Sequence, residues 1–289
     1  MTARGGGLLF GTGGIPRSAS GSGVAGGIRR LAELGLGCME IEHVYGVRTT
    51  PEAAEAARQA AQETGLALSA HAPYYVNLNS KEPDKVEASV KRILDSARAA
   101  AACGGDRVVF HAAFFGGDPP ESTFKAVKKQ LKRIRRALDA EKLSGVSLRP
   151  ELTGKRSQFG SPHELIRMSL EVEGVAPCLD LSHFYARDAG AANSFDDFRR
   201  LLDEIGDILG SGALEDLHIH LSGIEHSAAG ETRHVAAQES AFDYAAALRA
   251  LKACGARGRV ICESPALEDD ALLFQKKYRA LRIGPRSAK

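Results

Sequence analysis

The stretch RVVFHAAFFGGDPPESTFKAVKKQLKRIRRALDAEKLSGVSLRPEL, residues 107–152, holds one full unit of the architecture. A β-branched apolar run (RVVFHA, 107–112) breaks at a glycine- and proline-containing loop. Phe124, Val127, Leu131, Ile134 and Leu138 then recur every three or four residues, the stripe of an amphipathic helix. A second short strand-like run follows (VSLRPEL, 146–152).

The same alternation extends in both directions. Strands are expected at LLFG (8–11), CMEIEHV (38–44), ALSAHA (67–72), APCLDLSH (176–183), DLHIHLS (216–222) and RVICES (259–264). Val86, Val90, Ile93, Leu94 and Ala97 form another helical stripe, and Gly35, Gly37, Gly65, Gly104 and Gly255 stand where helices should stop. Strand–helix units repeated eight times without a break in composition predict an α/β protein, a (β/α)8 TIM barrel with residues 1–289 as one domain. GTGGIPRSASGSG (11–23) is then the first βα-loop. A doubly wound open sheet is the competing architecture.

Composition narrows the function classes. The chain has 289 residues, 44% hydrophobic and 26% charged, with a net charge of +2, too small to argue for nucleic acid by itself. The cysteines (38, 103, 178, 254 and 262) are odd in number and form no Cys-x-x-Cys pair, which argues against a disulfide framework or a zinc ribbon. Cys178 and Cys262, in apolar runs, read as inert core thiols. Near the N-terminus, after Arg4, the apolar core LLF is too short for a signal peptide, and no apolar run approaches the roughly 20 residues of a membrane helix. The expectation is a cytoplasmic protein with no membrane partner.

Chemistry-bearing residues fall at the ends of the last six strands: His71, His111, Glu151, Asp180 with His183, His220, and Glu263. In a parallel barrel all these ends open onto one mouth, and His234 can join from the loop after strand seven. Taken singly, a strand-end histidine is usually a satisfied polar residue, and Glu151 has Arg149 as a candidate partner. Taken together, three carboxylates in one core are unfavourable unless a cation neutralises them. The imidazole-rich set suits zinc better than magnesium or calcium, with manganese or iron able to use the same ligands. One ion needs at most four ligands, so this set implies two or three. Paired ions about 3.5–4 Å apart suit in-line displacement at phosphorus, which favours phosphodiester hydrolysis.

The motifs HAPYYVNL, VVFHAA, PELTG, LDLSH, HIHLSG, TRHV and ICESP resemble, in order and spacing, those of the endonuclease IV family, zinc-dependent apurinic/apyrimidinic endonucleases, and most closely its archaeal-type relatives. The match runs from about residue 38 to 265. The resemblance implies a three-zinc cluster. His71 and His111 hold the first ion, with Glu151 bridging to the second, which Asp180, His220 and Glu263 complete. His183 and His234 hold the third, with an aspartate two residues before the latter histidine. Here the chain departs, carrying Thr232. Either Glu231 reaches in, or the third site is weak and fills when substrate phosphate supplies an oxygen. Because Glu231 is one residue out of step, weak occupancy is the expectation.

The resemblance also implies a monomer that binds double-stranded DNA containing abasic sites and cuts it on their 5′ side, with Glu151 and Glu263 as the catalytic carboxylates. Tyr74 would enter the minor groove beside the abasic gap, and Arg48 would be the DNA-inserting arginine. The plainer alternative has Tyr74 and Tyr75 merely covering the mouth. One rival function is a single-ion sugar isomerase or epimerase of the xylose-isomerase-like barrels, using Glu151, Asp180, His220 and Glu263. Another is a lesion-binding protein without catalysis.

Other signals weigh less. GSGVAG (21–26), followed by Glu42, spells a dinucleotide fingerprint but stands about nine residues beyond its strand. Lys125, Lys128, Lys129, Lys132, Arg133, Arg135 and Arg136 read as a solvated helix face, and His218, one layer below His220, as a core hydrogen-bonding residue.

Overall fold

Eight short strands carry the fold: β1 (Leu8–Gly13), β2 (Cys38–Glu42), β3 (Ala67–His71), β4 (Arg107–Phe110), β5 (Ser147–Pro150), β6 (Cys178–Asp180), β7 (Leu217–Leu221) and β8 (Gly258–Cys262). The computed structural model describes residues 7–282 apart from 20 and 22. The first six residues, with Arg4, and Ser22 of GSGVAG therefore lie outside the described residues. All eight strands run parallel in the order β5-β4-β3-β2-β1-β8-β7-β6. Pairing of the first strand with the last, Leu8 opposite Gly258, rolls the sheet up and excludes the doubly wound alternative. Between β5 and β6 the cylinder closes through isolated parallel bridges, Leu148 to Val175 and Glu151 to Cys178.

Helices coat the barrel, and their ends follow local chemistry. The helix Pro51–Thr64 starts with Thr50 as N-cap, its side chain accepting from the Ala53 amide, and ends at Gly65 with φ 72°. Along Pro120–Ala140 the stripe Phe124, Val127, Leu131, Ile134 and Leu138 is buried against the strands. One member of the supposed solvated face departs. Arg135 is buried and donates to the Val146 and Leu143 carbonyls, tying the helix to the turn that leads into β5. Among the described residues no helix is long and apolar enough to cross a membrane.

The two ends of the barrel differ. At the N-terminal end the buried Arg107 and Arg149 pair with Asp216, and Arg259 with Asp106. Arg149 and Glu151 point inward two residues apart, but Arg149 is committed to this floor, so it does not neutralise Glu151. At the C-terminal end the strands stop earlier than their sequence runs suggest. His111 and Glu151 follow the last residues of β4 and β5. After Asp180 the chain turns at once into the helix Leu181–Arg187. Asp180 caps that helix, accepting from the His183 amide at 2.7 Å, so His183 stands on a first helical turn rather than at a strand end. A two-residue antiparallel pairing of Ala113–Phe114 with Gln158–Phe159 and a hairpin of Gly223–Ser227 with Gly230–Val235 rise over the mouth.

Candidate metal centre

The side chains at the mouth converge around Glu151, which is buried. The Nε2 atoms of His71 and His111 lie 3.0 and 3.1 Å from its Oε2. On its other side, Oε1 is 3.6 Å from His220 Nδ1 and 3.0 Å from His183 Nδ1. Glu263 Oε2 is 3.2 Å from His220 Nδ1, and the Nε2 atoms of His183 and His234 face one another at 3.2 Å. Ligands bound about 2.0–2.2 Å from a tetrahedral ion stand roughly 3.3–3.6 Å apart, so these separations, that of His183 Nδ1 aside, are close to those of ligands around shared ions.

Of five groups among the described residues whose ligand atoms lie within 4.8 Å of one another, three line the mouth around Glu151: His71, His111 and Glu151; Glu151, Asp180, His220 and Glu263; and Asp180, His183 and His234. Glu151 and Asp180 belong to two groups each, as bridging carboxylates would. The donor atoms also fit a cation by their lack of other partners. Glu151 Oε1, Asp180 Oδ2 and His220 Nδ1 are buried without a hydrogen bond, a costly state unless an ion meets them.

Outer contacts aim the imidazoles. His71 Nδ1–H donates to the Ala72 carbonyl at 2.8 Å and His183 Nδ1–H to Leu152 at 3.0 Å, leaving both Nε2 lone pairs to face the cluster. His220 is held the other way round, its Nε2–H donating to Glu40 Oε1 at 2.9 Å. Glu40 is buried; its second oxygen accepts from Ser69 Oγ at 2.6 Å and lies 2.9 Å from His218 Nε2. His218 is buried one layer below His220, as expected, but neither of its ring nitrogens makes a hydrogen bond.

Without ions the centre is an imidazolium–carboxylate lattice. Burial opposes charge on His71, yet the Glu151 and Glu42 carboxylates hold its pKa up at about 10. His183 and His220 are raised well above the usual range, their desolvation outweighed by neighbouring acids. Glu151 lies well below the usual carboxylate range and Glu263 at about 2, histidines overcoming burial in each case. These protons occupy places a divalent ion would take.

Sequence reading missed two residues. β2 directs Glu40 and Glu42 inward at successive depths, and its register sets them beside Ser69 and His71. Burial pushes the Glu42 carboxyl up to about 8, and its Oε1 has no partner. The carboxylates two apart in MEIEH were the available signal. A third residue was misjudged. Glu231 was held to be out of step, yet its Oε2 lies 3.4 Å from His183 Nε2, whereas Thr232 is exposed.

At the rim, Tyr45, Tyr74 and Tyr75 are 70%, 52% and 48% exposed. Tyr74 lies edge-on to Tyr45 at 6.1 Å between centroids and 4.1 Å from Tyr75. Arg48 is exposed on the β2 loop, lining a depression with Tyr45 and Glu42.

A parallel barrel with a His/Asp/Glu cluster at its C-terminal mouth defines a class of metal-site barrel enzymes. The chain belongs to the xylose isomerase-like TIM barrel family, whose model matches residues 28–282. An uncharacterized protein of Methanocaldococcus jannaschii is 42% identical over 274 residues, 95% of this chain and 98% of its own. A probable endonuclease 4 of Staphylococcus carnosus is 27% identical over 172 residues, 57% of this chain and 56% of its own. Among solved structures, a D-tagatose 3-epimerase-like protein aligns with TM-score 0.72 at 17% identity, covering 94% of this chain and 97% of that one. Endonuclease IV from Thermus thermophilus aligns with TM-score 0.69 at 24% identity, covering 93% and 98%. These two structures share the fold and divide over the chemistry.

Proposed function

We propose that this protein is a zinc-dependent phosphodiesterase that cuts the DNA backbone on the 5′ side of abasic sites. The observation that carries it is the number of converging ligands. Beyond Glu151, Asp180, His220 and Glu263, which would serve one ion, His71 and His111 meet the opposite oxygen of Glu151, and His183 faces His234. A single-ion sugar site has no use for these four imidazoles. The distant endonuclease 4 relative adds support.

Ions held there would polarise the phosphate, acidify a water and stabilise the departing 3′ oxygen. Water adds to phosphorus and the bond to the 3′ oxygen breaks, the water's proton passing to that oxygen or to solvent. Glu151, with one oxygen toward each half of the cluster, and Glu263 orient the attacking water. Glu40 fixes the His220 ring, and the exposed Tyr45–Tyr74–Tyr75 group offers stacking faces where a nucleotide lacks its base. The second reading, a sugar epimerase, is favoured by the self-sufficiency of the Glu151, Asp180, His220 and Glu263 group.

The test is a duplex with one tetrahydrofuran abasic analogue, which cannot undergo β-elimination. Zinc-loaded protein should incise it, and chelator or Glu263→Gln should abolish the product. Absence of incision after full metal loading, with turnover of a ketose under the same conditions, would replace this function by the epimerase.

A further inference from the structure

The hairpin over the mouth resolves the mismatch at Thr232. Its strands, Gly223–Ser227 and Gly230–Val235, pair with a register shift: Glu225 opposes Arg233 but His226 opposes Glu231. Thr232 is the residue left over. In a regular strand Thr232 and His234 would share a face and Glu231 would point the other way. A bulge resets that alternation, so Glu231 turns to the His234 side and Thr232 to solvent.

The neighbouring loop is shaped to receive it. The Glu231 amide donates to the Gly154 carbonyl at 3.0 Å, pinning the hairpin to the segment after β5. A β-carbon on Gly154 would stand 2.6 Å from Glu231 Cβ, 2.8 Å from its Oε2 and 3.0 Å from His183 Cδ2. Only glycine lets the carboxylate settle over the His183 ring. His183 Nε2 then lies between Glu231 Oε2 at 3.4 Å and His234 Nε2 at 3.2 Å, and Asp180, whose Oδ2 is unpartnered, stands within reach of the two histidines.

Resting on the multi-ion reading of the centre, we infer that Glu231 is the carboxylate ligand of a third metal position, with His183 and His234, in place of the aspartate missing at 232. The site is then built for tight occupancy instead of waiting for substrate to complete it.

Zinc titration of the chelator-stripped protein, with bound metal counted after desalting, tests this without reference to activity. Wild type should retain a third equivalent through desalting. Glu231→Gln, similar in shape and uncharged, should weaken that equivalent about a hundredfold or more and leave the first two in place. Adding Thr232→Asp to Glu231→Gln should not restore it, because position 232 faces solvent. Glu231→Asp keeps the charge with a shorter reach; it should also weaken the third ion, and it decides the matter should the glutamine variant fail to fold. Only two ions retained by wild type, an unchanged third affinity in either single variant, or rescue by Thr232→Asp would overturn the assignment. Three ions bound by a protein that cuts no abasic DNA would overturn the nuclease function and leave Glu231 as a ligand.

Discussion

Replacing Glu40 with glutamine separates the groups that bind metal from those that aim them. Glu40 accepts from His220 and Ser69 in a fully buried pocket, with His218 Nε2 2.9 Å from its second oxygen. A glutamine keeps one acceptor oxygen and puts an amide N–H2 opposite one of these donors. Where that donor is His220, relief comes from moving the ring proton to Nδ1, which removes the lone pair that faces Glu151 and Glu263. Loss of such an outer partner costs about 10–100-fold in metal affinity, or about 1.4–2.8 kcal/mol. Ion-free protein should also melt at lower temperature, because a buried ion pair loses one member. The assay is competition against a chromophoric chelator near neutral pH, alongside thermal melts with and without zinc. A folded Glu40→Gln protein with wild-type affinity would refute the claim that Glu40 sets the His220 tautomer.

Protons and metal should exchange visibly. With His71 holding its proton up to about 10 in the ion-free state, loading at neutral pH must expel protons, and apparent affinity should climb as pH rises toward that value; calorimetric heats that do not depend on buffer ionisation would contradict it. Asp216→Asn leaves the buried Arg107 and Arg149 short of their carboxylate at the barrel floor. It should destabilise by about 1–3 kcal/mol in denaturant melts, with metal content unchanged; a stability equal to wild type would show the floor pairing to be dispensable. Tyr74→Ala should weaken binding to abasic duplex by about 1–3 kcal/mol in fluorescence anisotropy, with little effect on intact duplex. Equal losses on both would point to a general surface contact.

The barrel was legible because its signals are local. Stripes such as Phe124 to Leu138 and the short β-branched runs declare themselves within fifteen residues or fewer. Strand ends were less so. The side chain of Asp180 draws the chain into a helix three residues sooner than the run APCLDLSH indicates, and that depends on where one carboxylate bonds. The eight candidate ligands could be listed because each lies at or beyond the C-terminal end of a strand, on the same side of the barrel. Glu40 and Glu42 were passed over because their use depends on register, Glu40 beside Ser69 and Glu42 beside His71, which a single strand does not display. Glu231 was misjudged for a related reason: a bulge exists only between two strands, so counting along one of them puts the wrong residue toward the ring of His183. Arg135 lay hidden among the other basic residues of its helix, since nothing in their spacing tells which one finds the carbonyls of the following turn.

The join between β5 and β6 bears on folding as well as catalysis. Regular ladders link every other neighbouring pair of strands, but here only isolated bridges do; Glu151 is a residue of the upper bridge, and Asp180 stands two residues beyond its partner Cys178. A cation gripping both acids works as a clasp across the least securely stitched edge of the cylinder. Demetallation would then loosen that edge first, letting the mouth gape before the remainder of the wall gives way.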